Sequence, residues 1–170
     1  MMSHAPVPGD ARLVADLADI NFLHCDEVKV AGPLTAFQAY CAMTSDVPAW
    51  LAVAFRIRDL VSRTFNVVEI HGFSPRNPDH VPAVGDLLDF FAVEALSERQ
   101  LVLTARDTHL AVMMCIDSMP AGEHVTSLTV TTSVRHFNTF GRLYILPVGL
   151  AHGPIVSRLL RNVAGPEGTL

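Results

Sequence analysis

The spacing of apolar residues changes rhythm along the chain, and each change marks an element. Residues 20–30 run Ile20-Asn21-Phe22-Leu23-His24, then Cys25-Asp26-Glu27-Val28-Lys29-Val30, and stop at Ala31-Gly32-Pro33, which predicts a strand closed by a turn. From residue 34 to 43 and again from 48 to 65 the apolar positions recur at three and four residues, the period of an amphipathic helix. In the second of these helices Trp50, Val53, Ala54, Ile57, Leu60, Val61 and Phe65 share one face, while Arg56, Asp59 and Arg63 share the other. Ser45 or Asp46 is the expected N-cap, and Pro48 fits the first turn. A short strand is expected at 67–71, and the three prolines within residues 74–82 then exclude regular structure.

Beyond that loop the rhythm becomes strand-like. Residues 87–95, 101–106, 109–117 and 124–137 are successive runs separated by short polar breaks, which predicts an antiparallel meander. In the last run Leu128, Val130, Thr132, Val134 and His136 share the face expected to meet the core, and Ser127, Thr129, Thr131, Ser133 and Arg135 share a face expected to be wet. Residues 87–95 are apolar at both parities, with Phe91 and Val93 opposed to Leu88 and Phe90, so a bulge or a doubly covered stretch is expected there. Asn138 then caps a helix starting near Thr139, whose apolar stripe reads Leu143, Leu146, Leu150, Ile155, Leu159, Val163. Pro147 and Pro154 predict a kink or two shorter helices, the better one spanning 154–163. The fold class that results is α+β: a curved antiparallel sheet wrapped around a C-terminal helix, with two short helices after the first strand.

Composition adds bounds rather than elements. The 170 residues suit one domain, with an ordered core at about 15–164 and flexible ends at 1–14 and 165–170. Half the residues are hydrophobic and 17% are charged, so the chain can bury enough apolar surface to fold alone. The net charge of −5, without a basic run, argues against nucleic acid as a partner. The odd, scattered cysteines Cys25, Cys41 and Cys115 read as buried thiols in a reducing cytoplasm. No secretory leader is read at the N-terminus, and the longest uninterrupted apolar runs are too short for membrane insertion.

Candidate chemistry is sparse. No Cys-x-x-Cys and no helical histidine pair at four-residue spacing is present, so no metal is expected; His24 with Asp26, Cys25 with Glu27, and Asp79-His80 offer two ligands at most. The glycines never form a phosphate-cradling loop, and no cofactor is expected. Gly72-Phe73-Ser74-Pro75 is not a nucleophile elbow, and Cys41 and Cys115 lie in apolar surroundings that favour an inert thiol. His136, on the inward parity, and Tyr144, at the start of the covering helix, are the best polar candidates for general acid and base work. Arg135 and Arg142 can pair with Asp89, Glu94 or a ligand carboxylate.

The stretch Val134-Arg135-His136-Phe137-Asn138-Thr139-Phe140-Gly141-Arg142-Leu143-Tyr144, followed by Ile155-Val156-Ser157-Arg158-Leu159-Leu160, resembles the end of many bacterial members of the helix-grip (SRPBCC) superfamily of START domains and birch-pollen allergens. The chain also resembles a bacterial domain-of-unknown-function family in which Ala49-Trp50 opens the helix leading to Arg56-Ile57-Arg58, and the likeness covers about residues 18–163. The resemblance implies a cavity between the sheet and the last helix, which various members use to carry lipids, sterols or polyketides and a few use for cyclisation or hydrolysis. Ordinary core packing needs the same residues as a cavity, and the resemblance favours the cavity. The leading expectation is a non-catalytic carrier of a small hydrophobic or amphipathic molecule held by Trp50, Phe91, Met114, Leu128, Val130, Thr132, Val134, His136 and Tyr144. The alternatives are a cyclase- or hydrolase-type enzyme using His136 and Tyr144, and a homodimerising interaction module built on the Trp50 helix or an open sheet edge.

Overall fold

Alternating side chains leave one face of each segment apolar, and pairing those segments edge to edge buries the backbone donors and acceptors as well as the apolar face. The computed structural model describes residues 6–53, 56 and 72–164. Its strands are β1 (Phe22–Ala31), β2 (Leu87–Leu88), β3 (Phe91–Leu96), β4 (Gln100–Arg106), β5 (Leu110–Gly122) and β6 (Val125–His136). They form one antiparallel curved sheet in the order β1-β6-β5-β4-β3-β2, so a meander from β2 to β6 receives β1 on its far edge. Helix α1 (Ala36–Thr44) follows β1 and is fixed by a capping box between Thr35 and Gln38. Residues 49–53 are also helical. The rest of the predicted helix to 65, and the strand expected at 67–71, lie outside the described residues.

The doubly apolar run near residue 90 is a reversal of the chain rather than one covered strand. Leu87 pairs with Ala92 and Leu88 with Phe91, which makes a tight hairpin with Asp89 and Phe90 at its tip, and a register shift follows between Val93 and Ala95. Asp89 adopts a φ of 57°, which a short polar side chain tolerates better than most. Its carboxylate accepts from Tyr40 Oη at 2.5 Å, from the Ser74 amide at 3.2 Å and from Arg76 at 3.1 Å, so the turn is held from α1 and from the proline loop.

The face of β6 expected to be wet is covered. Thr129, Thr131 and Ser133 are buried, because the N-terminal segment crosses the outside of the sheet. The Val14 amide donates to Ser133 Oγ at 2.9 Å, Gln100 donates to the Asp10 carbonyl at 3.0 Å, and Ala11 and Val14 pack on Val102, Met113 and Cys115. Hydroxyl-bearing residues suit this layer because buried hydroxyls find partners there: Ser133 takes its bond from the crossing chain, and Thr131 Oγ1 shares one with Cys25 Sγ of β1.

The C-terminal helix α2 (Thr139–Ala164) runs as one element through both prolines, so of the two expectations, a kink or two shorter helices, the division does not hold. Pro147 and Pro154 are seven residues apart and lie on the exposed side, so the carbonyls of Leu143 and Leu150 that lose an intrahelical donor face water. Its apolar stripe also differs from expectation. Leu143, Leu146 and Leu150 are exposed, and the inward positions are Tyr144, Ile145, Val148, His152, Ile155, Val156 and Leu159. By length and composition α2 could also cross a membrane, although here it packs on β1 and α1. Asn138 caps it as predicted, accepting from the Gly141 amide at 2.9 Å while its own amide reaches His109 Nδ1 at 2.9 Å. Any side chain at Gly141 would run into the His109 carbonyl oxygen, so glycine sets how closely the helix start meets the β4–β5 turn. At the other end Ser157 donates to Asp26 at 2.8 Å, and Asn162 donates to the carbonyls of Met43 and Asp46 at 3.0 and 2.8 Å.

Candidate functional site

The inner face of the sheet is a stack of cross-strand rows, and the rows differ in what covers them. One row is Leu101, Ile116, Val130 and Asp26; it and Leu128 beyond it lie under α1 and the C-terminal half of α2, where Phe37, Tyr40, Val156, Leu159 and Leu160 complete a closed core. The next row is Leu103, Met114, Thr132 and His24, and after it come Ala105, Val112, Val134 and Phe22. Over these last two rows the helix stands off the sheet. The gap is a cavity of about 740 Å³, walled by the sheet on one side and by Tyr144, Ile145, Val148 and His152 on the other, with Phe73, Phe90 and Phe91 closing one flank. This volume lies within the roughly 300–1,000 Å³ of small-molecule sites, and the lining is mostly apolar as in such sites.

Two polar side chains interrupt that lining at its inner end. Thr132 is 3% exposed and its Oγ1 has no hydrogen-bond partner; the Nε2 of His152 is likewise sealed and unpartnered. The two come from opposite walls and meet around His24, which is the cross-strand neighbour of Thr132 and whose ring centre lies 5.2 Å from that of His152. Phe22 packs edge-on against His152 at 5.4 Å. Burial, and secondarily the neighbouring His24, lowers the His152 pKa to about 4, so its imidazole is neutral at neutral pH. A neutral ring and a hydroxyl can donate to and accept from an uncharged polar group. They supply neither a cation for an anionic head group nor a ready proton for acid catalysis.

Among the described lining residues, charge is confined to the rim. Arg106 is paired with Glu94 at 3.2 Å, Glu94 also accepts from Thr104 at 2.8 Å, and Asp107 accepts the amides of His109 and Leu110 at 2.6 and 2.9 Å.

Of the residues expected to hold a ligand, Phe91, Met114, Thr132, Val134 and Tyr144 line the cavity. Leu128 and Val130 do not: their inward parity is as predicted, but their rows lie in the closed core. Trp50 does not either, since it is 53% exposed. His136 sits where β6 gives way to α2, its amide held by Asn21 at 2.8 Å, and does not reach the cavity with Tyr144, so the expected acid and base pair is not assembled there. Arg135 pairs with Asp19 at 3.6 Å rather than with Asp89 or Glu94. His24 is buried, with Nε2 3.9 Å from Asp26. Among the described residues no three histidine, cysteine or acidic side chains gather as metal ligands. Cys25, Cys41 and Cys115 are buried, and burial raises each thiol pKa, that of Cys115 to about 12.

Sequence reasoning missed His152. It lies four residues after Val148 and four before Val156, a spacing that places it on the inward face of α2.

The depressed His152 pKa has a measurable consequence. Between pH 6.5 and about 4 the unfolded chain binds a proton that the folded chain refuses, so stability is complete above the unfolded value and falls as pH drops through this window. The loss from this residue is at most about 3 kcal/mol. Asp117 has the opposite sign, because burial raises its carboxyl pKa and the folded state takes up its proton first. Urea unfolding across this pH range should therefore show a flatter profile for His152→Leu than for the parent chain. Superimposable slopes would refute the assignment.

A family model described as "Protein of unknown function (DUF2867)" matches residues 17–159. No curated protein matches the chain. Among solved structures, the Mll3558 protein from Rhizobium loti is 12% identical with a TM-score of 0.40, covering 83% of this chain and 97% of that one. A conserved protein from Geobacillus kaustophilus is 11% identical with a TM-score of 0.39, covering 84% of this chain and 95% of that one.

Proposed function

The chain belongs to the DUF2867 family, whose description assigns no chemistry, and on the geometry of the cavity we propose that it binds and carries a small, largely apolar molecule between the sheet and α2. One observation carries this reading: about 740 Å³ of apolar-walled space lies beside a closed core built from the same sheet, with unpartnered polar atoms at its inner end. A chain selected only for stability would collapse α2 onto those rows, because each unfilled volume forfeits dispersion contacts. The order of elements supports placing the family with the helix-grip superfamily, in which this gap is the ligand site.

Native mass spectrometry of the protein after incubation with a total lipid extract tests the proposal. A single added mass, retained at one per chain and displaced by a second apolar compound, is the expected result. A spectrum of bare protein under the same conditions overturns it.

A second reading has a separate observation behind it. Phe137, Leu143, Leu146 and Leu150 are each more than half exposed on or beside α2, and such clustering on a surface often marks an interaction face.

A further inference from the structure

We infer that the molecule held in the cavity is an uncharged amphiphile whose polar end is a hydroxyl, seated between His152 and Thr132, and that the site selects it over the corresponding carboxylate. The inference rests on the carrier reading and names the ligand class.

The argument begins with what the inner end offers. Thr132 Oγ1 can donate one hydrogen bond and accept others, and His152 Nε2 is either an acceptor or a donor according to tautomer. Both are unpartnered, and a buried polar atom left so costs roughly 1–3 kcal/mol. A ligand hydroxyl is both donor and acceptor, so one group can satisfy the two atoms together. Both residues line the cavity while these atoms are sealed, so the head group reaches them after a turn of the threonine side chain or of the imidazole.

What the described walls hold argues against the alternatives. A carboxylate would have to lose its water, and an ion buried without a partner is far more costly than a buried hydroxyl. Among the described lining residues the cationic side chain is Arg106, at the rim and already paired with Glu94, while Asp107 adds a negative charge there. His152 is neutral at physiological pH and contributes no compensating charge. A plain hydrocarbon would fill the apolar volume but leave both polar atoms unsatisfied.

Titration calorimetry at neutral pH with 1-decanol, decanoate and decane separates these cases, using the intact chain with Thr132→Val and His152→Leu as variants. We expect decanol to bind about tenfold tighter than decane and tighter still than decanoate. Each variant should cut the decanol-over-decane preference by about fivefold, a change of ratio that partial unfolding, which weakens both ligands alike, would not give. Decanoate binding as tightly as decanol, or a preference unaltered in both variants, overturns the head-group assignment. Equal binding of all three also overturns it but leaves the carrier reading intact, whereas failure of all three to bind defeats both.

Discussion

Ile116→Ala is expected to lower the unfolding free energy by about 2–5 kcal/mol, and Val134→Ala, one strand away on the same face of the sheet, by about 1–2 kcal/mol. The two residues are nearly equal in burial, at 0% and 2% exposed, so burial alone sets the losses only by the three and two carbons removed, roughly 2.4 and 1.6 kcal/mol. What differs is the other side of each side chain. Ile116 has Leu101 and Val130 as row neighbours and lies in the closed core with Phe37, Val156 and Leu159, so truncation opens a new void in a region already filled. Val134 borders space that is already open, so its truncation enlarges an existing cavity and loses mainly the transfer energy of two methyl groups. Urea unfolding curves with unchanged slopes would measure the pair. Equal losses would mean that the sheet is evenly covered and that the gap under α2 closes in solution.

The same division between filled and open rows governs what could be read from sequence. The strands were legible because their signal is local. Residues 20–30 gave β1 at Phe22–Ala31, and the alternation after His124 gave β6, whose inward parity was assigned correctly. Asn138 was legible as a cap because a capping side chain needs only its own turn. What failed depended on distant parts of the chain. Threonines and serines at 127–133 read as a wet face, and nothing near them in sequence announces that residues 6–16 cross above them. Pro147 and Pro154 read as breaks, yet both face solvent, where water can take the place of the lost donors. The leucines at 143, 146 and 150 captured the apolar stripe because leucine outweighs tyrosine, valine and histidine on any hydrophobicity count. The true inward face of α2 at 144, 148, 152 and 156 mixes polar with apolar residues, as a binding wall does and a packed core does not. Which rows stay uncovered depends on the stand-off of α2, fixed by Gly141 against the His109 carbonyl at one end and by Ser157 on Asp26 at the other; neither contact is visible from periodicity.

Filling the open rows from both walls should abolish ligand binding without loss of the fold. Ala105 lies on the floor and Val148 on the helix wall; both line the cavity, and Ala105 stands where the closed core ends. With tryptophan at both positions, the new rings would occupy space that the parent chain leaves empty, so the overpacking cost of about 1–3 kcal/mol for a filled core does not arise. Added apolar burial, worth roughly 25 cal/mol per Å² removed from water, instead favours the folded state. We therefore expect Ala105→Trp with Val148→Trp to unfold at the same urea concentration as the parent or a higher one, and to show no added mass after incubation with lipid extract. The combination matters because each measurement controls the other. Lost binding with lost stability would report only damage, and retained binding with retained stability would place the ligand elsewhere, the exposed leucines of α2 being the next surface to test. Lost binding with kept stability would locate the ligand over the rows of Met114 and Val134, where the sheet and helix part.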